Sequence, residues 1–237
     1  MKCTQIAAML MVLGGIAVAQ GPPPMGPPPP DANRKVENGG IFVPGWKGVV
    51  DELSAKRGET IANARLAKDG KNLHVTTGPA ITYWNAANLA KGDYTVSATF
   101  REPHYMNLND HPHPYGIVIG ANDMGTETQS FLYCAAYGSG KFIVRGMGPQ
   151  PFQMNGRTGQ ENAAVHKAPA KDAEVTQQIS MSVKGDTVSC SINGTEVWSA
   201  PKSDVMAAGK LKSTDGGYGI RSAHNTEVEV IDLKLSK

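Results

Sequence analysis

Apolar and polar side chains alternate along short segments of this chain, which is the pattern of half-buried β-strands. In the clearest segment, Tyr94, Val96, Ala98 and Phe100 fall on one face, and Thr and Ser residues occupy the other. Similar segments predict further strands at residues 62–67, 72–76, 80–84, 115–121, 130–137, 141–147, 177–184, 187–193, 195–200, 218–222 and 228–235. Turn sequences between these segments indicate that neighbouring strands are joined by hairpins.

Residues 177–200 carry the strongest hairpin signals. Lys184-Gly185-Asp186 and Asn193-Gly194 each supply residues that accept a positive φ, so the segment predicts a three-stranded meander. The last strand changes phase, because its apolar residues move from even to odd positions after Val230. This change indicates a β-bulge near Val230–Ile231.

Helical signals are weak and confined to residues 47–57 and 203–208, each long enough for one or two turns. Residues 148–172 contain few large apolar side chains and predict a long loop. The absence of alternating strand and helix patterns argues against a parallel sheet. The sequence therefore predicts an all-β fold, an antiparallel two-sheet β-sandwich with few short helical turns.

The N-terminal region predicts export. Lys2 precedes an apolar run at 6–18, and Ala17-Val18-Ala19 is a small-x-small cleavage site, so residues 1–19 read as a signal peptide. Residues 20–38, rich in proline, predict a semi-rigid spacer, and residues 39–237 a single sandwich domain. We therefore expect a periplasmic or extracellular protein with no integral membrane segment after signal removal.

The composition argues against one class of function and limits the chemistry of the cysteines. The 23 basic and 21 acidic side chains nearly cancel, which argues against a nucleic-acid partner. Only Cys134 and Cys190 follow the signal peptide, and each alternates with apolar residues. In an oxidising compartment they either form a disulfide or remain two buried thiols, because spacing alone does not show whether their Cβ atoms meet.

Histidines concentrate in residues 104–115, where His104, His111 and His113 lie close in sequence. Imidazoles near a carboxylate suit a divalent metal, so His111 and His113 are candidate metal ligands. The same two histidines and Asp110 are candidates for acid–base catalysis. A polar loop with no such role is the alternative. His224 joins this group only if the fold brings it near.

Aromatic residues are few, and some lie beside hydrogen-bonding side chains. Flat rings combined with Asn, Arg and His are what a sugar-binding site requires, because the C–H faces of sugars pack on rings. Burial in the sandwich core is the competing interpretation for each ring. The candidate ligand-contacting residues are Trp84, Asn85, His104, Tyr115, Tyr133, Tyr137, Arg145 and His224.

Glu227 and Glu229 share one face of the last predicted strand. Laminarinase-type glucanases carry an aspartate between two such glutamates, whereas this chain has Val228. Solvent-facing charges on a terminal strand therefore explain the pair better than glycosidase catalysis does.

Several segments together resemble a known class of proteins. They are Gly45-Trp46-Lys47-Gly48, Tyr83-Trp84-Asn85, residues 94–100, residues 111–116, Tyr133-Cys134, Tyr218-Gly219-Ile220-Arg221 and His224-Asn225. The sequence resembles secreted bacterial concanavalin A-like lectin/glucanase sandwich proteins, and within them the 3-keto-disaccharide hydrolase-like domain family. The resemblance implies a jelly roll, a concave face that meets a glycan-like ligand, and export.

Three hypotheses follow for the function. The first is a carbohydrate-binding domain without demonstrated catalysis. The second is a hydrolase or lyase that acts on 3-keto or otherwise modified glycosides through the histidine-rich site, with or without a divalent metal. The third is a periplasmic protein-interaction domain carried on the proline-rich spacer.

Overall fold

The computed structural model describes residues 33–107 and 111–237. The predicted signal peptide and residues 20–32 of the predicted spacer lie outside the described residues. The described strands, in chain order, are β1 (Gly40–Ile41), β2 (Trp46–Val50), β3 (Ala64–Asp69), β4 (Asn72–Thr77), β5 (Ile81–Ala90), β6 (Tyr94–Glu102), β7 (Tyr115–Asn122), β8 (Ser130–Ala136), β9 (Lys141–Met147), β10 (Pro151–Gln153), β11 (Gln160–Glu161), β12 (Val175–Lys184), β13 (Thr187–Ile192), β14 (Thr195–Pro201), β15 (Gly216–Ser222) and β16 (Glu227–Ser236). Short helical turns occur at α1 (Glu52–Lys56), a 3-10 turn (Ile61–Asn63) and α2 (Lys202–Val205).

The strands form two sheets that pack as a sandwich, which confirms the predicted fold class. Sheet A has the order β1-β3-β4-β16-β6-β12-β13-β14, and sheet B the order β10-β9-β8-β7-β15-β5-β2, with β11 also paired to β9. Neighbouring strands are antiparallel except for the parallel pair β1 and β3. The predicted meander is present as β12, β13 and β14.

The core lies between the two sheets, as strand alternation predicts. All four apolar residues of the 94–100 segment are buried there. Cys134 of β8 and Cys190 of β13 are joined by a disulfide, with Cα atoms 6.3 Å apart. This bond links sheet B to sheet A through the core. The side chains that alternate with Cys134 on β8 therefore point away from the core.

Several local predictions differ from the structure. The predicted loop at residues 148–172 contains the short strands β10 and β11, which both pair with β9. Residues 46–50 form an edge strand of sheet B rather than the start of a helix, because Trp46 through Val50 pair with β5. Only the following residues, 52–56, are helical. The bulge in β16 occurs between Ile231 and Lys234, and Asp232 there has a φ of 52°. It lies slightly later than the change of apolar phase indicates.

The last residues of the predicted spacer contact the sandwich. Asn33 donates a hydrogen bond to Glu59, and the Arg34 guanidinium pairs with Glu227 at 2.9 Å. The Arg34 backbone amide also donates to the Asn225 side chain. These contacts place the start of the described chain beside the turn between β15 and β16. In the described residues, no helix is both long and apolar enough to span a membrane.

Candidate functional site

A row of side chains crosses the outer face of sheet B, which points away from the core. Strand register places Trp84 opposite Gly219, Gly219 opposite Val118, Val118 opposite Tyr133, and Tyr133 opposite Arg145. Because side chains opposite each other in a sheet share a face, these residues form one line across five strands. Three predicted ligand-contacting residues, Trp84, Tyr133 and Arg145, thus lie on one surface.

Gly219 adds no side chain to the middle of this row. A Cβ atom there would lie 2.0 Å from the Tyr83 carbonyl oxygen and 3.0 Å from the Trp84 Cα. Only glycine fits so close to the neighbouring strand. The larger side chains of Trp84 and Tyr133 therefore stand on either side of Gly219 and the buried Val118.

Arg221, two residues after Gly219 on β15, has the same orientation and is only 8 % exposed. Its Nη1 donates to Asp51 Oδ1 at 2.6 Å and to Thr82 Oγ1 at 3.1 Å, and its Nη2 donates to Asp51 Oδ2. Burial opposes the positive charge, but the Asp51 carboxylate outweighs it and raises the pKa of Arg221. The guanidinium carbon lies 5.4 Å from the centre of the Tyr133 ring.

These residues line a cavity of about 160 Å³ on the outer face. Its walls include Asp51, Tyr133, Arg145, Phe152 and Arg221. The cavity therefore combines aromatic rings, two guanidinium groups and one carboxylate. That mixture can pack against an apolar surface of a ligand and also bind its polar groups.

A larger groove of about 550 Å³ shares Met147 with this cavity. Its walls are formed by residues 49–50 of β2, Glu52, residues 125–127, Gln129 and residues 147–150. Residues 125–129 lie close to the row, because a Cβ atom on Gly125 would be 4.0 Å from Trp84 Cη2. The cavity and the groove are therefore adjacent at Met147.

Arg145 differs from Arg221 in its partners. Its Nη2 donates to the Arg157 carbonyl oxygen at 2.7 Å, and no carboxylate of the described residues forms an ion pair with it. Burial raises the pKa of Tyr137, and the positive charge of the nearby Arg145 partly opposes that rise. Arg145 therefore brings a positive charge to the cavity that no described acidic side chain balances.

Sequence reasoning missed Arg221 and its partner Asp51. A signal was present, since Arg221 alternates with Gly219 on the face opposite the apolar Ile220. Nothing local indicated that Asp51 would lie beside it, because the two residues are 170 positions apart in the chain.

Three other residues that were predicted to contact a ligand do not belong to this row. Tyr115 is fully buried in the core, where its ring stacks on Phe100 with centroids 5.7 Å apart, so a role in direct ligand contact does not fit this position. Asn85 accepts a hydrogen bond from the Ala87 backbone amide at 2.9 Å. His104 lies 3.0 Å from Asp172 and does not join the other histidines of its segment.

His111, His113 and His224 converge at the ends of β7 and β15. One ring nitrogen from each lies within 4.8 Å of the others. His111 is exposed, His113 is buried and His224 is partly buried, so the cluster opens to solvent on one side. His224 follows Arg221 by three residues, and none of the three histidines belongs to the Trp84–Arg145 row. Asp110, the predicted acid–base partner, lies outside the described residues.

Glu227 and Glu229 lie on the outer face of sheet A and are held by cations. Glu227 pairs with His74 and Arg34, which lower its pKa to about 2. Glu229 accepts a hydrogen bond from the Arg101 Nε at 3.0 Å. Both carboxylates thus have ion-pair partners, and they are partly buried on β16, which lies between β4 and β6 rather than at an edge of the sheet.

No protein family and no curated protein sequence matches this chain. Solved structures resemble it in fold. A carbohydrate-binding module of family 66 from Bacillus subtilis has a TM-score of 0.54 at 8 % identity, covering 83 % of this chain and 98 % of the module. A Bacillus subtilis protein of unknown function with a galectin-like fold has a TM-score of 0.53 at 12 % identity, covering 80 % of this chain and 88 % of that protein.

A third structure is a family 16 glycoside hydrolase from Bacteroides ovatus in complex with an oligosaccharide product. Its TM-score is 0.51 at 12 % identity, and the match covers 87 % of this chain and 98 % of the hydrolase. At such low identities these likenesses establish the concanavalin A-like sandwich fold.

Proposed function

We propose that this chain is an exported carbohydrate-binding domain whose ligand occupies the outer face of sheet B. The observation that carries this proposal is the position of Arg221. A charged side chain is buried there on the outer face of a sheet, beside an aromatic ring and at the wall of a cavity.

Burial of a charge is costly unless the charge is paired and hydrogen-bonded. Asp51 and Thr82 meet that need for Arg221 and also fix the plane of its guanidinium group. The fixed guanidinium group of Arg221 lies against one side of the Tyr133 ring. Tyr133 is thereby a rigid platform, and a rigid ring loses little conformational entropy when a sugar packs on it.

The charge at the small cavity beside Tyr133 indicates the class of sugar. Arg145 lines the same cavity without a described carboxylate partner, and guanidinium groups bind carboxylates through two parallel hydrogen bonds. A saccharide that carries a carboxylate, such as a uronic acid, would supply the missing partner. We therefore expect acidic glycans to bind more tightly than neutral ones.

The comparisons support a sugar ligand at the level of fold. One similar structure is a carbohydrate-binding module, and another is a glycoside hydrolase with a bound oligosaccharide. Export is supported by the signal-peptide pattern at residues 1–19 and by the disulfide, since disulfides persist in oxidising compartments. A periplasmic or extracellular protein would encounter free polysaccharides.

The proposal is tested by glycan-array screening followed by isothermal titration calorimetry. The calorimetric panel pairs acidic polymers, polygalacturonate and alginate, with neutral ones, laminarin and mixed-linkage β-glucan. We expect one-site binding to at least one acidic polymer and weaker binding to the neutral polymers. Absence of binding to every array member, with a dissociation constant above about 1 mM throughout, would overturn the proposal.

A further inference from the structure

Three imidazole rings meet at one end of the sandwich, away from the proposed sugar surface. The ring centroids of His113 and His224 are 3.9 Å apart, those of His111 and His113 are 4.5 Å apart, and those of His111 and His224 are 6.2 Å apart. Two short stretches of chain supply them, one just before β7 and the other just after β15. These stretches are adjacent because β7 and β15 pair in sheet B.

Hydrogen bonds fix the stretch that carries His224, and one of them joins it to the stretch before β7. The Ala223 amide donates to the Pro114 carbonyl oxygen at 3.0 Å, and the Asn225 amide donates to the Gly78 carbonyl oxygen at 3.0 Å. The Thr77 hydroxyl donates to the Ala223 carbonyl oxygen at 2.7 Å. His224 therefore lies in a turn fixed on both sides.

Prolines restrict the other stretch. Pro112 and Pro114 flank His113, and each proline limits its own φ and the conformation of the residue before it. The His111–His113 spacing is thus held in an extended form. An arrangement fixed before binding reduces the entropy cost of capturing an ion.

The side chain of Asn33 lies beside the His224 ring. Asn33 Oδ1 lies 3.1 Å from His224 Nδ1, and the Asn33 amide nitrogen donates to Glu59. The bond to Glu59 orients the amide so that its oxygen faces the ring. An Nδ1–H bond to that oxygen leaves the lone pair of His224 on Nε2. Metal-binding histidines are commonly oriented in this way, by a polar group that accepts the hydrogen of the other ring nitrogen.

We propose that His111, His113 and His224 form a three-histidine site for a divalent transition metal, with Zn²⁺ as the best-suited ion. Neutral imidazoles favour Zn²⁺, Cu²⁺ and Ni²⁺ over Mg²⁺ and Ca²⁺. Tetrahedral Zn²⁺ with bonds of about 2.1 Å separates its ligand atoms by about 3.4 Å. One ring nitrogen from each histidine lies within 4.8 Å of the others, which is near that spacing.

The three histidines supply three of the four ligands that a tetrahedral ion takes. His111 is exposed, so an ion can reach the cluster from solvent. Asn33 acts as a positioning residue, because it touches the ligand ring rather than the ion.

The test uses the full chain without a histidine tag, after dialysis against a chelator. Binding of Zn²⁺ is measured by calorimetry, and binding of Co²⁺ by its visible absorption. We expect one ion per chain, intense tetrahedral Co²⁺ bands, and a rise in thermal stability with Zn²⁺ concentration. Mg²⁺ should produce none of these changes.

Variants separate the proposed site from other histidines. His111→Ala changes an exposed residue and should retain the fold, while lowering Zn²⁺ affinity about 100-fold; His224→Ala should do the same. His104→Ala and His166→Ala are matched controls and should bind as the parent does. Asn33→Ala should lower affinity about tenfold and leave the ion-to-chain ratio unchanged.

Zn²⁺ binding that is absent, or equal in the parent and His111→Ala proteins, would overturn the proposal. Its outcome is independent of glycan binding, because none of the three histidines lines the sheet B cavity.

Discussion

The guanidinium carbon of Arg221 lies 5.4 Å from the centre of the Tyr133 ring, on the face of sheet B that points away from the core. Asp51 holds that guanidinium through both of its carboxylate oxygens. The proposed sugar surface and the local stability therefore share one contact, between β8 and β15.

Replacement of the Tyr133 ring should weaken glycan binding. Tyr133→Ala removes the stacking surface, and ring contacts of this kind contribute about 1 kcal/mol, so we expect the association constant to fall about five- to tenfold. Tyr133→Phe keeps the ring and should lower it by less than about twofold. Calorimetry with the best acidic glycan measures both. Equal losses for the two variants would assign the effect to the hydroxyl instead.

The Asp51–Arg221 pair should contribute strongly to stability. Asp51→Asn leaves the Arg221 charge buried with no carboxylate partner, so we expect the free energy of unfolding to fall by about 2 kcal/mol. The adjacent Glu52 pairs with Lys56 at an exposed position, and Glu52→Gln should change it by less than about 0.5 kcal/mol. Urea unfolding followed by tryptophan fluorescence compares them. A similar small change in both variants would contradict the prediction.

Glu102 should make stability depend on pH. Burial raises the pKa of this carboxyl from 4.5 to about 7, and it is 7 % exposed. The folded protein therefore holds a proton that the unfolded chain releases, so the stability present below pH 4.5 is lost as the pH rises to about 7.

Glu102→Gln removes this ionisation. Because each unit of pKa shift corresponds to about 1.4 kcal/mol, the variant should be more stable than the parent by up to about 3 kcal/mol at pH 8, relative to their difference at pH 4. Urea midpoints across that pH range measure the effect. Glu161→Gln, at an exposed position, controls for the loss of one negative charge. A difference between parent and variant that stays constant with pH would refute the prediction.

The disulfide should stabilise the sandwich chiefly by restricting the unfolded chain. Cys134 and Cys190 are 56 residues apart, and a loop of that size corresponds to about 4 kcal/mol in the chain-entropy model. We expect the double variant Cys134→Ala/Cys190→Ala to lose about 2–4 kcal/mol of unfolding free energy. Thermal unfolding with and without a reductant checks this. The reductant should lower the midpoint of the parent and leave that of the double variant unchanged.

Part of the candidate site was predictable because it depends on local alternation. Tyr133 shares a face of β8 with Phe131, and the opposite face carries Cys134 in the core. The outward direction of Tyr133 follows from this period of two. The residue type alone does not predict whether a ring is exposed. Tyr115 is also a tyrosine, but it begins β7 facing inward and stacks on Phe100.

The sequence by itself determined most of the strand segments, the sandwich class and the meander at residues 177–200, because alternation and turn chemistry act over a few neighbouring residues. Only the tertiary structure decided which strands are neighbours. The position of β15 between β5 and β7 brings Arg221 to Asp51 and His224 to His113. Such pairings depend on the packing of the whole chain, so no local pattern in the sequence encodes them.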